Sequence, residues 1–291
     1  MNGLLIVDKS TGMTSHDVVA RVRRATGERS IGHLGTLDPM ATGVLPLLLG
    51  KFTRLAQFFG PLKKTYTGTI RFGFATDTYD AEGQPAGGAV DVFLTLDQVR
   101  SAASRFQGEV EQMPPPFSAK KIAGKPAYKL ARAGEEPKLK PVPITIHRFE
   151  ITSFEGDIAA FLMTVSSGGY VRSVAHELGR ALGCGGHLAS LRRIAAGPFE
   201  IENAIGLAEA EALAAKGALS ERMPHPRTLL PDLPSVTADV FSASRIRNGV
   251  AVNLPEFSQS ALVKVFEGQT RLIAIGRRIA GTLFQPIVVL G

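Results

Sequence analysis

Tryptophan is absent from this chain and cysteine occurs once, at Cys184. One cysteine excludes an intramolecular disulfide framework and a multi-cysteine zinc site. It fits a reducing compartment, and the expected location is the cytoplasm. Long apolar runs are missing as well. The most hydrophobic segment, residues 43–50, falls far short of the roughly 18 apolar residues of a membrane span. The opening Met1-Asn2-Gly3-Leu4-Leu5-Ile6-Val7-Asp8-Lys9 has an apolar run too short for a signal peptide, and Asn2 removes N-myristoylation. Walker-type, G-x-G-x-x-G, G-x-S-x-G and H-E-x-x-H patterns do not occur, and the six histidines form no tight ligand group. The reading is therefore no cofactor, no metal and no membrane.

What is present is ordinary globular material. The chain has 291 residues, 44% hydrophobic and 20% charged, enough for a sizeable core. Lys and Arg number 33 against 26 acids, a net +7. Such an excess points to a polyanionic partner and says nothing of fold.

Apolar spacing predicts a buried strand over residues 4–7. It predicts a helix over 15–26, with Val18, Val19 and Val22 on one face and Gly27 at its end. Residues 31–50 show little period. A strand is expected over 65–74, followed by a polar turn over 76–83. Thr95 and Gln98 form a capping box for a helix over 96–106. Residues 113–117 are too rich in proline for helix or central strand. A helix over 125–133 would have Pro126 in its first turn and Gly134 past its end. Strands over 144–151 and 158–166 flank a Glu155-Gly156-Asp157 turn. Helices follow at 172–182 and 207–219. Residues 230–234 read as a linker, and short strands at 261–266, 271–275 and 283–290 suggest a small β-rich domain. The expected fold class is α+β, and the division is 1–230 and 231–291.

One stretch concentrates chemistry: Gly32-His33-Leu34-Gly35-Thr36-Leu37-Asp38-Pro39-Met40-Ala41-Thr42-Gly43-Val44-Leu45-Pro46. It sets a single carboxylate in an apolar, Gly- and Pro-rich run. Such an aspartate is either a capping or turn residue or a functional acid on a rigid loop, and caps and turns are the commoner case.

That stretch resembles the signature of the TruB family of pseudouridine synthases, long, ungapped and centred on the acid. Further segments resemble the family's blocks in order: residues 8–15, Lys64-Thr65-Tyr66, residues 76–83, Phe117-Ser118-Ala119-Lys120-Lys121 and Gly168-Gly169-Tyr170-Val171-Arg172-Ser173. Ser10 stands where the family has proline, and Gly169 where it has threonine. The resemblance covers about residues 3–200. It implies a mixed, antiparallel-rich sheet with flanking helices and an RNA-binding cleft. It also implies isomerisation of uridine 55 in the TΨC loop of tRNA, with the base extruded from its stack. Assistance to tRNA folding is compatible with the same resemblance.

The resemblance assigns Asp38 as nucleophile or electrostatic stabiliser and Arg172 as its bidentate partner. Tyr66 becomes the platform under the target base and a proton relay. Asp80 is a second carboxylate near the base. His33 enters the RNA loop where the base had been, Tyr170 and Leu191 border the pocket, and Lys9 contacts phosphate or another polar group. Residue by residue the plainer alternatives stand: a surface arginine, a core tyrosine, an Asx turn, a half-buried histidine, a core leucine. His176 and His187 are read as structural.

The insert at about 114–142 is strongly basic. Between residues 117 and 140 lie Lys120, Lys121, Lys125, Lys129, Arg132, Lys138 and Lys140 against Glu135 and Glu136, a net +5. Either it is a solvated surface or it tracks phosphates, which positions RNA without specifying it. The C-terminal segment adds Arg245, Arg247, Lys264, Arg271, Arg277 and Arg278, and loosely resembles a PUA-type RNA-binding module. The expected partner is the tRNA stem-loop and elbow. No obligate protein partner is expected, and the chain is expected to be a monomer. The competing readings are a guide-dependent synthase of the dyskerin type, a binding-only RNA-folding factor, and a glycosidase. The last normally needs two carboxylates around the scissile bond.

Overall fold

The structure is a computed structural model describing residues 1–118, 120–122, 125–127, 130 and 139–291. Among the described residues the larger sheet has ten strands. Its main path runs Ile205–Gly206, Gly3–Lys9, Thr42–Leu49, Gly186–Ala196, Lys64–Phe72, Ile158–Val165, Val142–Glu155 and Gly108–Gln112. Ile31–His33 and Phe199–Glu200 add short branches. Two pairings are parallel, Gly3–Lys9 with Ile205–Gly206 and Gly186–Ala196 with Thr42–Leu49; the others are antiparallel. The sheet is mixed and antiparallel-rich, as expected.

The apolar run at the start of the chain has a simple cause. Leu5 and Val7 face one core, shared with the helices Ser15–Thr26, Leu96–Ser104, Val171–Ala181 and Leu207–Ala215. Leu4 and Ile6 face a second core, shared with the C-terminal sheet. Thr42–Leu49 divides the same way, with Leu45 and Leu47 on one side and Val44 and Leu48 on the other. A strand buried on both faces loses its alternation, which is why residues 42–49 gave no legible period. Pro46 within that strand is accommodated because its carbonyl accepts from the Leu34 amide at 3.0 Å. N and O of one extended residue point the same way, so the missing N–H faces this loop side and leaves the ladder to residues 3–9 intact.

Several helix boundaries follow local chemistry. Thr14 caps Ser15–Thr26 in a reciprocal box with Asp17, and Gly27 ends it at φ 67°. Thr95 and Gln98 form the expected box. Gly183 lies past Val171–Ala181 with φ 76°. Other expectations change. The helix over 125–133 does not start there: Lys125–Pro126 pair with Lys121–Ile122 as a two-stranded ladder, and most of the remainder lies outside the described residues. The strand Gly186–Ala196 was not foreseen, because the Arg192-Arg193 pair breaks its apolar pattern.

The C-terminal sheet orders Ser235–Ala238, Leu262–Glu267, Arg271–Ala280, Leu283–Val289 and Val252–Asn253, with an unforeseen helix, Val240–Arg247, against it. Residues 230–234 are no loose linker. Leu229 and Leu230 are buried in the second core with Phe266, Leu272, Ile275 and Val288. The basic residues of this part are largely committed internally. Lys264 is buried and donates to the carbonyls of Arg227 and Leu229 at 2.8 and 2.7 Å, while Arg247 and Arg271 both pair with Glu267. No described helix is long and apolar enough to cross a membrane.

Candidate active site

Asp38 sits on the loop between Ile31–His33 and Thr42–Leu49, and distant segments fix that loop. The buried Ser15 hydroxyl accepts from the Leu37 amide at 2.8 Å and donates to the Leu37 carbonyl at 3.2 Å. The Gly12 amide donates to the Pro39 carbonyl at 3.0 Å. Lys9, fully buried, donates to the carbonyls of Ser10, Met13 and Pro39 at 2.9, 2.7 and 3.2 Å. Its burial lowers the ammonium pKa to about 8. The expected phosphate contact at Lys9 is thus corrected: the ammonium is spent inside the protein, where it ties the opening segment to the Asp38 loop.

Arg172 enters from the first turn of Val171–Ala181. Its guanidinium places Nε 2.9 Å from Asp38 Oδ2, donates Nη2–H to Asp38 Oδ1 at 3.2 Å, and lies 3.4 Å from Asp80 Oδ2. The remaining donors reach the Thr78 and Phe117 carbonyls at 3.2 and 3.0 Å. Arg172 and Asp80 are buried, whereas the Asp38 side chain is 36% exposed. One arginine is therefore shared by two acids, and of the two only Asp38 retains access to the outside. The fork geometry of the guanidinium permits this. Asp80 is also held by its own turn, its Oδ1 accepting from the Thr78 hydroxyl at 2.6 Å and the Glu82 amide at 3.1 Å. Turn former and charge partner are thus the same residue. Burial, then Asp80 and Asp38, raise the Glu82 pKa.

Asp38, Tyr66, Tyr170, Arg172 and Leu191 line one cavity of about 210 Å³, together with Lys64 and Gly169. Tyr66 is buried, and its burial raises the phenol pKa, so the hydroxyl is neutral. Gln112 holds the Tyr170 backbone at both ends, at 2.7 and 3.0 Å. Gly169 has a packing reason: a Cβ there would lie 2.4 Å from Val165 Cγ2, so valine occupies the space of the family threonine. His33 lies outside the cavity lining, half-buried, edge-on to His16 at 5.7 Å, with its pKa lowered by burial. Lys120 is exposed. The side chains of Lys121 and Lys125, and all of Lys129, Arg132 and Lys138, lie outside the described residues. Among the described residues no group of three metal-binding side chains converges.

Sequence reasoning missed Arg193. It is fully buried and donates to the carbonyls of Val44, Thr36 and Gly35 at 2.7, 3.3 and 2.9 Å, bracing the loop before Asp38. Its neighbour Arg192, on the other face, pairs with Asp8 at 2.7 Å. An arginine doublet in an otherwise apolar strand was the available signal. Tyr79 and His176 were also missed as a pair. They stack at 3.8 Å, fastening the 76–83 turn, where Tyr79 has φ 65°, to the helix that carries Arg172.

The mixed sheet with its flanking helices and the β-rich C-terminal part have the pseudouridine synthase fold. An archaeal box H/ACA Nop10–Cbf5 complex superposes with TM-score 0.69 at 23% identity, over 99% of this chain and 86% of that one. A Cbf5–Nop10–Gar1 complex gives 0.71 at 25%, over 99% and 85%. The N-terminal domain of TruB family pseudouridylate synthase matches residues 23–171, and the tRNA pseudouridylate synthase B C-terminal domain matches 172–231. Proteins named tRNA pseudouridine synthase B are similar along their whole length: one from Solibacter usitatus at 44% identity over 100% of both chains, one from Aquifex aeolicus at 41% over 97% and 98%. The chain belongs to the TruB family, whose chemistry is the isomerisation of uridine to pseudouridine.

Proposed function

We propose that this protein converts uridine 55 in the TΨC loop of tRNA to pseudouridine. The observation that carries the reading is Asp38, the accessible acid of a cavity whose other acid is sealed behind Arg172. In the reaction the N1–C1′ bond breaks and C5 bonds to C1′, while the proton on C5 is lost and N1 gains one. Asp38 adds covalently or stabilises the cation-like sugar; Tyr66 supports the base and relays a proton as a neutral phenol. The flipped base enters between Tyr66 and Leu191, with Tyr170 at the wall and Asp80 behind Arg172. His33 fills the vacated stack. Lys120, Lys121, Lys125, Lys129 and Arg132 follow the RNA backbone.

The catalytic domain in this reading spans 1–230, with a PUA-like RNA-binding module at 231–291. The protein acts as a cytoplasmic monomer on the tRNA elbow. Similarity over full length to proteins named for tRNA supports it over a guide-dependent enzyme. The test is pseudouridine mapping on unmodified tRNA treated with the purified protein alone. Asp38→Asn is expected to abolish product while retaining tRNA affinity, which separates catalysis from a folding role. Normal turnover by that variant refutes the reading.

A further inference from the structure

Two buried lysines of the described residues have internal partners. Lys9 donates to three carbonyls and Lys264 to two. Lys64 is different. It opens the strand Lys64–Phe72, two residues before Tyr66 and so on the same face. It lines the same cavity as Asp38 and Tyr66. Among the described residues no carboxylate or carbonyl takes its ammonium. The carboxylate across the cavity, Asp38, is already engaged by Arg172.

A second cation accompanies it. A Cβ built on Gly35 would lie 3.6 Å from both Lys64 Nζ and Arg193 Nη1, so the two side chains converge beside the Asp38 loop. Gly35 itself, at φ 122°, leaves that corner open. Arg193 spends its donors on the loop carbonyls; Lys64 does not. Placing an ammonium that has no hydrogen-bond partner among the described residues beside a guanidinium in a half-buried corner costs stability. An incoming anion would repay that cost.

We propose that Lys64 binds the phosphodiester group adjoining the flipped target nucleotide, holding its backbone while the base occupies the cavity. The assignment rests on the pseudouridylation reading and adds to it a residue that anchors the reacting nucleotide through its phosphate. The corner lies on the loop between His33 and Asp38, where the chain of a nucleotide leaving the RNA stack for the Asp38 cavity would pass. A cation at that point positions without reading sequence.

Titration supports the geometry. Burial, and then Arg193, lower the Lys64 pKa to about 8. The other titratable or charged groups around the cavity are Asp38, Arg172, Tyr66 and Tyr170. In the free protein the ammonium is therefore lost as pH rises through about 8, and a bound phosphate returns the proton.

The experiment couples a protein change to an RNA change. Steady-state pseudouridylation is measured on a T-arm stem-loop carrying single neutral methylphosphonate linkages at each position around the target uridine. Lys64→Met is expected to raise KM about tenfold, the usual scale for one charge-assisted contact, with kcat within about twofold. One linkage next to the target should cost the native enzyme a similar factor and cost Lys64→Met almost nothing further. Lys64→Arg should restore KM at neutral pH and remove the rise in KM above pH 8. Losses that multiply at every linkage, or a Lys64→Met defect confined to kcat, overturn the proposal. Turnover of the unsubstituted RNA by the native enzyme reads out pseudouridylation itself, so failure of the contact and failure of the activity are separate results.

Discussion

Arg172 reaches two carboxylates and two carbonyls from a single side chain. A lysine at that position could meet one or two of the four. Arg172→Lys is therefore expected to lower single-turnover rates at least about 100-fold and to cost about 2–4 kcal/mol of stability, because Asp80 is left buried and underpaired. Rate and thermal denaturation measured together test both halves; native-like turnover would show that the fork is not needed. Lys64 behaves oppositely. Its folded pKa lies near 8 against an ordinary 10.5, so between those pH values the unfolded chain binds more protons. Stability contributed by this group rises with pH across that window. Lys64→Met should accordingly be more stable than the native protein at pH 7.5, with the difference shrinking by pH 9.5, before Tyr66 titrates. Denaturant midpoints at the two pH values provide the check.

Elements here are held by close backbone approach as much as by side chains. Strands Gly186–Ala196 and Thr42–Leu49 meet in parallel at Arg193 and Gly43. A Cβ on Gly43 would lie 2.1 Å from the Arg193 carbonyl oxygen, at a φ of 100°. Only glycine allows that contact, and through it the strand carrying Arg193 is set against the strand that follows the Asp38 loop. Gly43→Ala should destabilise the protein by at least about 2 kcal/mol, seen as a lowered melting temperature. By contrast Thr95→Ala removes one half of an exposed capping box that does not line the cavity and should cost about 1 kcal/mol without changing KM.

At the scale of the molecule, the C-terminal sheet covers the face of the larger sheet that carries Leu4, Ile6, Val44 and Leu48. Those residues would be bared by removing residues 231–291. The full chain is expected to melt in one transition, and a chain ending at residue 230 to aggregate or melt much lower. Two resolved transitions in the full chain would speak against a shared core. Charge is distributed otherwise. The insert between residues 117 and 140 carries +5 of the net +7, while most C-terminal basic residues named above are paired or buried. Salt dependence of RNA affinity should thus fall mainly with neutralisation of Lys120, Lys121 and Lys125 and little with changes at Arg271.

Local chemistry was legible from the amino-acid order alone. The capping box at Thr95 and Gln98 and the stops at Gly27 and Gly183 depend on neighbours a few residues away, and they stand in the sequence as written. So did the Asp38 motif, and with it the family. Burial of charge was not legible. Arg193 and Lys264 look like surface residues until distant chain segments supply carbonyls to them, and Lys9 until the Pro39 carbonyl, 30 positions away, joins two local ones. The strand at residues 42–49 was hidden for a related reason, since its two-sided environment erases the period that reveals a strand, and the Arg192-Arg193 pair hid the strand at 186–196. Sequence by itself determined the family and singled out Asp38 as the acid at the centre of its motif. Only the folded chain decided which cations stand around it and which one, among the described residues, is left without a carboxylate or carbonyl partner, because that depends on where long-range pairing puts those groups.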